Sequence, residues 1–233
     1  VLDFMILSPL GDILLKSLQL STTQFGSVVS AYAISAGISG FLAAGFADKF
    51  DRKKLLMFFY AGFIAGTVFC GLSFNYETLF LARILTGIFG GVIGSISMAI
   101  VTDLFTLDQR GRVMGVIQMS FAAAQILGIP AGLFLADKFN WNAAFFMVVI
   151  LASILAILIM MNIKPVTEHL SLQRKGSPLL HLWKTLIRSE YSWGYIAISL
   201  LSMGGFMIMP FSSAFLVNNV GITQQQLPYV FLF

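Results

Sequence analysis

Runs of about twenty apolar residues follow one another along this chain with little polar sequence between them, and that pattern leaves few folds open. A helix needs roughly 20 apolar residues to cross a bilayer. The runs predict spans at about 1–19, 24–48, 54–75, 77–104, 113–136, 142–163 and 191–218, with an eighth opening near 225. Of the 233 residues, 58% are hydrophobic and only 10% are charged. A water-soluble domain of this length cannot hide that much apolar surface, so the expected class is an all-α membrane protein in lipid. The chain opens without Met inside one apolar run and stops inside another at Leu232-Phe233, which reads as a segment of a longer protein. No stretch has the form of a cleaved signal peptide.

Charge sets the orientation. The net charge is +4, yet its placement argues against a nucleic-acid partner. Lys49, Arg52, Lys53, Lys54, Arg110, Arg112, Lys164, Arg174, Lys175, Lys184 and Arg188 fall on alternate connections, whereas only Lys16 and Lys138 lie near the other side. By the positive-inside rule the basic side is cytoplasmic. The reading is a multi-pass protein of the plasma (inner) membrane with its N-terminus in the cytoplasm. Cys70, the single cysteine, sits in span three, so no intrachain disulfide can form.

The tetrapeptide Ala-Asp-Lys-Phe occurs at 47–50 and again at 136–139, each time closing a Gly- and Ala-rich run. Three spans separate the copies, which puts them on opposite sides of the bilayer, as in two inverted three-helix repeats. Connections among the first six spans are short, as between antiparallel neighbours. Residues 164–190 then break the pattern with polar, basic sequence interrupted by Pro165, Gly176 and Pro178. The expected organisation is a six-helix bundle over 1–163, a cytoplasmic linker over 164–190 and the start of a second bundle over 191–233. Leu179, Leu182, Trp183 and Leu186 recur at helical spacing, so the linker is either solvated chain or contains an interfacial amphipathic helix.

Polar residues inside spans narrow the search, because a charge there costs at least about 2.5 kcal/mol. Asp3, Asp12 and Arg83 are such residues. Counted at about 1.5 Å per residue, Asp12 and Arg83 both lie roughly 10 Å below the outer surface, and a pair between them is expected. The alternatives for that pair are a static structural role and a functional one. Asp3 lies deeper toward the cytoplasmic half with no base visible at its level. An unpaired acid in low dielectric holds its proton to higher pH, which a proton-binding site requires; the plain alternative is a solvated wall residue. Gln118 and Gln125 share one face of span five and either line a path or bond neighbouring helices. Met203, Phe206, Met207, Met209 and Phe211 in span seven suit apolar guests, but the same residues commonly face lipid. At the basic end, Asp48, Arg52, Asp103 and Arg112 form a candidate acid–base gate, whereas Lys53 and Lys54 read as headgroup anchors. Gly87 marks close helix packing, and Gly128, Pro130 and Gly132 loosen span five as a rocking element needs.

These elements, in this order, carry a resemblance that covers the whole chain. Gly45-Phe46-Ala47-Asp48-Lys49-Phe50-Asp51-Arg52-Lys53-Lys54, between spans two and three, resembles the signature loop of the major facilitator superfamily, roughly G-x-L-A-D-R-x-G-R-K-K. Ala44 stands for the first glycine of that pattern, Phe46 for the leucine, Lys49 for the first arginine and Asp51 for the second glycine. Arg83-x-x-x-Gly87 is similar to the family's R-x-x-x-G element, and Gly128-Ile129-Pro130-Ala131-Gly132 to a shortened form of its antiporter element. Trp141-Asn142-Ala143-Ala144-Phe145 resembles the opening of the family's sixth span, and Leu2-Asp3-Phe4 with Pro9-Leu10 the first span of its drug/proton antiporters. The resemblance implies the major facilitator fold: two bundles rocking about a midplane site, with the signature loop closing the cytoplasmic side of the outward-facing state. It implies secondary, proton-coupled efflux of a small, drug-like molecule. A sugar or metabolite exporter of the same fold, or a relative that has lost transport, is the alternative. The implied partners are substrate, protons, the bilayer and a C-terminal bundle. No phosphate loop, metal-ligand pattern or nucleophile motif occurs, so neither an enzyme nor a cofactor is expected.

Overall fold

The computed structural model describes residues 1–43, 45–167, 170 and 188–231. Ala44, most of the predicted linker with its candidate amphipathic stretch, and the last two residues lie outside the described residues. Among the described residues, six helices are long and apolar enough to cross a membrane. They are span two (Thr22–Ala43), span three (Arg52–Gly71), span four (Tyr76–Leu104), span five (Leu107–Lys138), span six (Trp141–Asn162) and span seven (Ser192–Val220).

Four of these spans open on a side-chain cap. Ser21 and Gln24 bond each other's backbone N–H ahead of span two. Asp51 accepts from Lys53 N at 2.9 Å to open span three, and Asn75 with Thr78 forms a capping box for span four. Asn140 accepts from Trp141 N at the head of span six. These side chains satisfy N–H groups that would otherwise be unpaired at a helix end. Span five starts at Leu107, earlier than its apolar pattern suggests, because the polar first turns Leu-Asp-Gln-Arg-Gly-Arg are already helical.

Span one departs from the continuous 1–19 run predicted for it. It consists of two short helices, Leu2–Ile6 and Gly11–Ser17, on either side of a turn. Pro9 lies in that turn and has no N–H to give to an upstream carbonyl. The chain leaves the second helix through Gln19, whose φ is +51°. Two other spans are also irregular. Span five changes to wide, π-type turns at Ala124–Gly128 just before Pro130, and span seven to a tight 3-10 turn at Met209–Phe211 around Pro210. The irregular turns of spans one and seven face each other: the Ser8 hydroxyl donates to the Met209 carbonyl, and Ser213 Oγ donates to the Ser8 carbonyl at 2.9 Å. Carbonyls released by the turns thus find side-chain donors, the condition for irregular backbone at membrane depth.

Span four is the hub. Span two crosses it so closely that a Cβ on Gly87 would overlap Ser35 Oγ and the Tyr32 backbone, while one on Gly94 would meet open space. Small residues therefore set this approach where lipid offers no hydrophobic drive. Span three lies on another face of span four through Gly66 and Thr86. Span one packs against the irregular part of span five, with Leu2 against Gly128 and Ile6 against Gly132. Trp141 and Phe145 are buried at the head of span six, and Asn142 Nδ2 donates to the Gly71 carbonyl at 2.6 Å. The Trp-Asn-x-x-Phe element thus fastens span six to the end of span three.

Candidate functional site

The site grows from span four. Arg83 projects from a helix surrounded by apolar residues and is fully buried. Its Nη1 donates to Asp3 Oδ2 at 2.9 Å, with side-chain exposures of 0% and 1% for the two residues. The guanidinium also stands over the Tyr32 ring of span two, its carbon 4.5 Å from the centroid. Arg83 Nε, Arg83 Nη2 and Asp3 Oδ1 have no hydrogen-bond partner although all three are buried. The pair is single-stranded where a fork-to-carboxylate bond could be double.

This corrects the expected pairing. Arg83 binds Asp3, not Asp12, and Asp3 is not unpaired. Counting depth along one straight helix does not survive the turn between Ile6 and Gly11, and an arginine side chain reaches far from its own Cα. Asp12 is buried elsewhere, in the second half of span one. It accepts from Lys16 Nζ at 2.7 Å, from Gln224 Nε2 at 2.9 Å and from Asn218 Nδ2 at 3.2 Å. A carboxylate of span one therefore ties down the end of span seven and the segment that follows it.

Beside the ion pair is a cavity of about 290 Å³. Phe4 and Ser8 of span one, Gly26, Val29 and Ser30 of span two, and Phe206, Met207, Met209, Pro210 and Phe211 of span seven contribute to its wall. The Phe4 ring contacts Phe206 on the cavity side and Tyr32 on the other, both at 5.5 Å between centroids. Of the span-seven residues singled out in the sequence, Phe206, Met207, Met209 and Phe211 line this space, whereas Met203 does not. Gln118 and Gln125 are exposed on span five and are absent from the lining.

At the basic end, three of the four expected gate residues come together. Arg52 is buried, with Nη2 2.7 Å from Asp48 Oδ1 and Nε 3.1 Å from Asp103 Oδ2. Span three is thereby tied to the loop before it and to the end of span four. Arg112 does not join them and is exposed. Arg110 instead turns back onto span four, its Nη2 2.7 Å from the Thr102 carbonyl and its Nε 3.1 Å from that of Phe105. Two residues along a helix is more than half a turn, so the two arginines cannot face the same way. One participant was not foreseen. Asp51, where the resembled loop has glycine, accepts from Val166 N at 3.2 Å, and Arg52 N donates back to the Val166 carbonyl at 3.2 Å. The chain leaving span six is thus pinned to the signature loop. The departure from glycine was the available signal. Lys53, read as a headgroup anchor, bonds the Met160 carbonyl at 2.9 Å.

Comparison with known proteins agrees with this architecture. A Bacillus subtilis protein named uncharacterized MFS-type transporter YceJ is 32% identical over 163 residues, covering 70% of this chain and 41% of its own. The multidrug resistance protein fnx1 of Schizosaccharomyces pombe is 34% identical over 118 residues, 51% of this chain and 22% of its own. A Helicobacter pylori relative is named a probable sugar efflux transporter. The crystal structure of a bacterial homologue of the human lysosomal transporter Spinster superposes with a TM-score of 0.76 at 17% identity, covering 97% of this chain and 54% of that one. The chain thus spans less than half the length of these curated relatives. The family model described as Major Facilitator Superfamily matches residues 1–233, and the chain belongs to that superfamily of multi-pass membrane transporters.

Proposed function

We propose that this chain supplies one bundle, and part of the other, of a proton-coupled transporter that exports an uncharged, lipophilic small molecule by alternating access. The observation that carries the reading is the sealed Asp3–Arg83 pair beside an apolar cavity. Parting two charges that have no water around them leaves each uncompensated, at a cost of about 3–5 kcal/mol. A proton delivered to Asp3 removes the attraction that holds the pair shut and leaves Arg83 as a buried charge that must move toward another partner, so movement at the pair is tied to proton uptake. The unpartnered Asp3 Oδ1 is the atom left to receive it.

The cavity favours the drug-like class over sugars. A sugar exposes many hydroxyls that require partners, and unmet ones are costly when buried. Among the described residues, only Ser8 and Ser30 bring side-chain hydroxyls to the wall, and the Ser8 hydroxyl is engaged by Met209. Phe4, Phe206, Phe211 and the methionines offer adaptable apolar contact instead. In this reading residues 1–163 rock as one body, 164–190 link the bundles on the cytoplasmic side of the plasma membrane, and 191–233 open the second body. Gly128, Pro130 and Gly132 lend span five its give, and Gln118 and Gln125 meet the remainder of the path. The network of Arg52 with Asp48 and Asp103 is the breakable closure at the cytoplasmic end, and Arg112 stands at its edge.

The test uses the protein expressed from its complete reading frame, in liposomes loaded with a pH-sensitive dye. Chloramphenicol, tetraphenylphosphonium and glucose are added in turn. Proton movement with chloramphenicol, absent with glucose and lost in Asp3→Asn, supports the reading. Movement with glucose alone overturns the substrate class, and full movement in Asp3→Asn overturns the proton site.

A further inference from the structure

The cavity and the ion pair do not share a wall residue other than through one aromatic contact, and that contact has a consequence for coupling. Phe4 lines the cavity. Its ring contacts the Tyr32 ring at 5.5 Å. Tyr32 carries the Arg83 guanidinium at 4.5 Å, and Arg83 holds Asp3, the residue next to Phe4 in the chain. The path therefore closes on itself: cavity, Phe4, Tyr32, Arg83, Asp3.

We infer that Tyr32 is the positioning residue that links occupancy of the cavity to the state of the Asp3–Arg83 pair. Arg83 reaches Asp3 with a single N–H, its Nε and Nη2 have no oxygen or nitrogen partner, and only the weakly accepting thiol of Cys70 in span three lies beside it, so hydrogen bonds alone leave the guanidinium poorly fixed. The Tyr32 ring supplies the remaining restraint through its negative face, an attraction that grows when water is excluded. Tyr32 itself is seated where spans two and four approach closely, its backbone against Gly87 and its hydroxyl beside Gly90. It therefore cannot follow the guanidinium freely. A guest pressing on Phe4 displaces the ring that Phe4 touches, weakens the seat of Arg83, and frees Asp3 to take up a proton. In the other direction, a proton on Asp3 releases Arg83, and the ring moves back toward the cavity.

This inference rests on the proton-coupled reading above and goes beyond it by naming the part that transmits. The chemistry asks for a ring face at position 32, not for a hydroxyl. Tyr32→Phe keeps the face and the contact with Phe4; Tyr32→Leu keeps apolar bulk and loses both. Phe4→Leu breaks the contact on the cavity side and leaves the seat of Arg83 intact.

Each variant, made in the complete protein and checked for folding by gel filtration and thermal melting, is reconstituted in dye-loaded liposomes. Chloramphenicol binding and chloramphenicol-driven proton movement are then measured on the same preparation. Tyr32→Phe is expected to match the unaltered protein. Tyr32→Leu is expected to bind the probe while its proton movement per substrate falls by about thirtyfold, the size of a desolvated cation–π contact. Phe4→Leu, a change in the cavity wall, is expected to weaken probe binding, and at saturating probe to lose proton movement per substrate, with Arg83 still seated. Coupling retained in folded Tyr32→Leu overturns the inference, and so does full coupling in Phe4→Leu should Tyr32→Leu fail to fold. The two levels separate cleanly. No proton movement in the unaltered protein overturns proton coupling and the relay with it, whereas movement in the unaltered protein and equally in Tyr32→Leu overturns the relay alone.

Discussion

Two arginines in this molecule hold carboxylates at nearly the same distance, and their surroundings give the pairs opposite properties. Arg52 binds Asp48 at 2.7 Å and Asp103 at 3.1 Å, with the Asp48 side chain 65% exposed and that of Asp103 21% exposed. Arg83 binds Asp3 at 2.9 Å with both side chains sealed. Water around Asp48 compensates whatever the arginine ceases to supply, so that link breaks and re-forms at a cost of about 1 kcal/mol or less. Asp3 and Arg83 are sealed from solvent, so parting them as charges costs far more. The first arrangement suits a closure that opens in each cycle. The second suits a step that must wait for a proton.

The sharpest way to break this comparison is to remove one partner of the sealed pair. Arg83→Ala is expected to destabilise the protein by about 3–5 kcal/mol, because a carboxylate is left buried with no base. A fall in melting temperature in detergent measures it. Removing both charges in Asp3→Asn/Arg83→Met should recover most of that loss, since a buried pair replaced by groups of similar size is often neutral; recovery of stability without recovery of coupled transport is the expected combination. A smaller effect is expected at the basic end. Asp103→Asn weakens a half-buried, charge-assisted bond and should cost about 1.5–3 kcal/mol. Asp48→Asn should cost the least, about 0–1 kcal/mol, and its effect should shrink further between 50 mM and 500 mM salt as screening grows. An Asp48→Asn effect as large as that of Arg83→Ala would erase the distinction.

Most of the fold was legible because lipid imposes one rule on every span. Apolar runs long enough to cross, joined by short connections with alternating charge, already specify a polytopic helical bundle, and Asn75, Asp51 and Asn140 mark where helices begin. Three things were not legible, each for a physical reason. The partner of Arg83 depended on depth, and Pro9 interrupts the helix along which depth was counted. The cavity was hidden because Phe206 and Met207 would look the same facing lipid as facing a guest; only the meeting of irregular turns in spans one and seven distinguishes them. The docking of Val166 on Asp51 joins residues more than a hundred positions apart, and the Val166 side of it is a backbone N–H that no side-chain pattern records. Arg52, Asp48 and Asp103 meet where helix ends had to converge, as their spacing suggested. Arg112 stays apart, because a shift of two residues along the helix turns its side chain away.

The measurement that bears most directly on the account is proton movement driven by chloramphenicol in dye-loaded liposomes, comparing the unaltered protein with Asp3→Asn. The account expects movement in the first and none in the second, with the probe still bound by both. Equal movement in the two would show that the sealed pair is structural and that protons enter the cycle elsewhere.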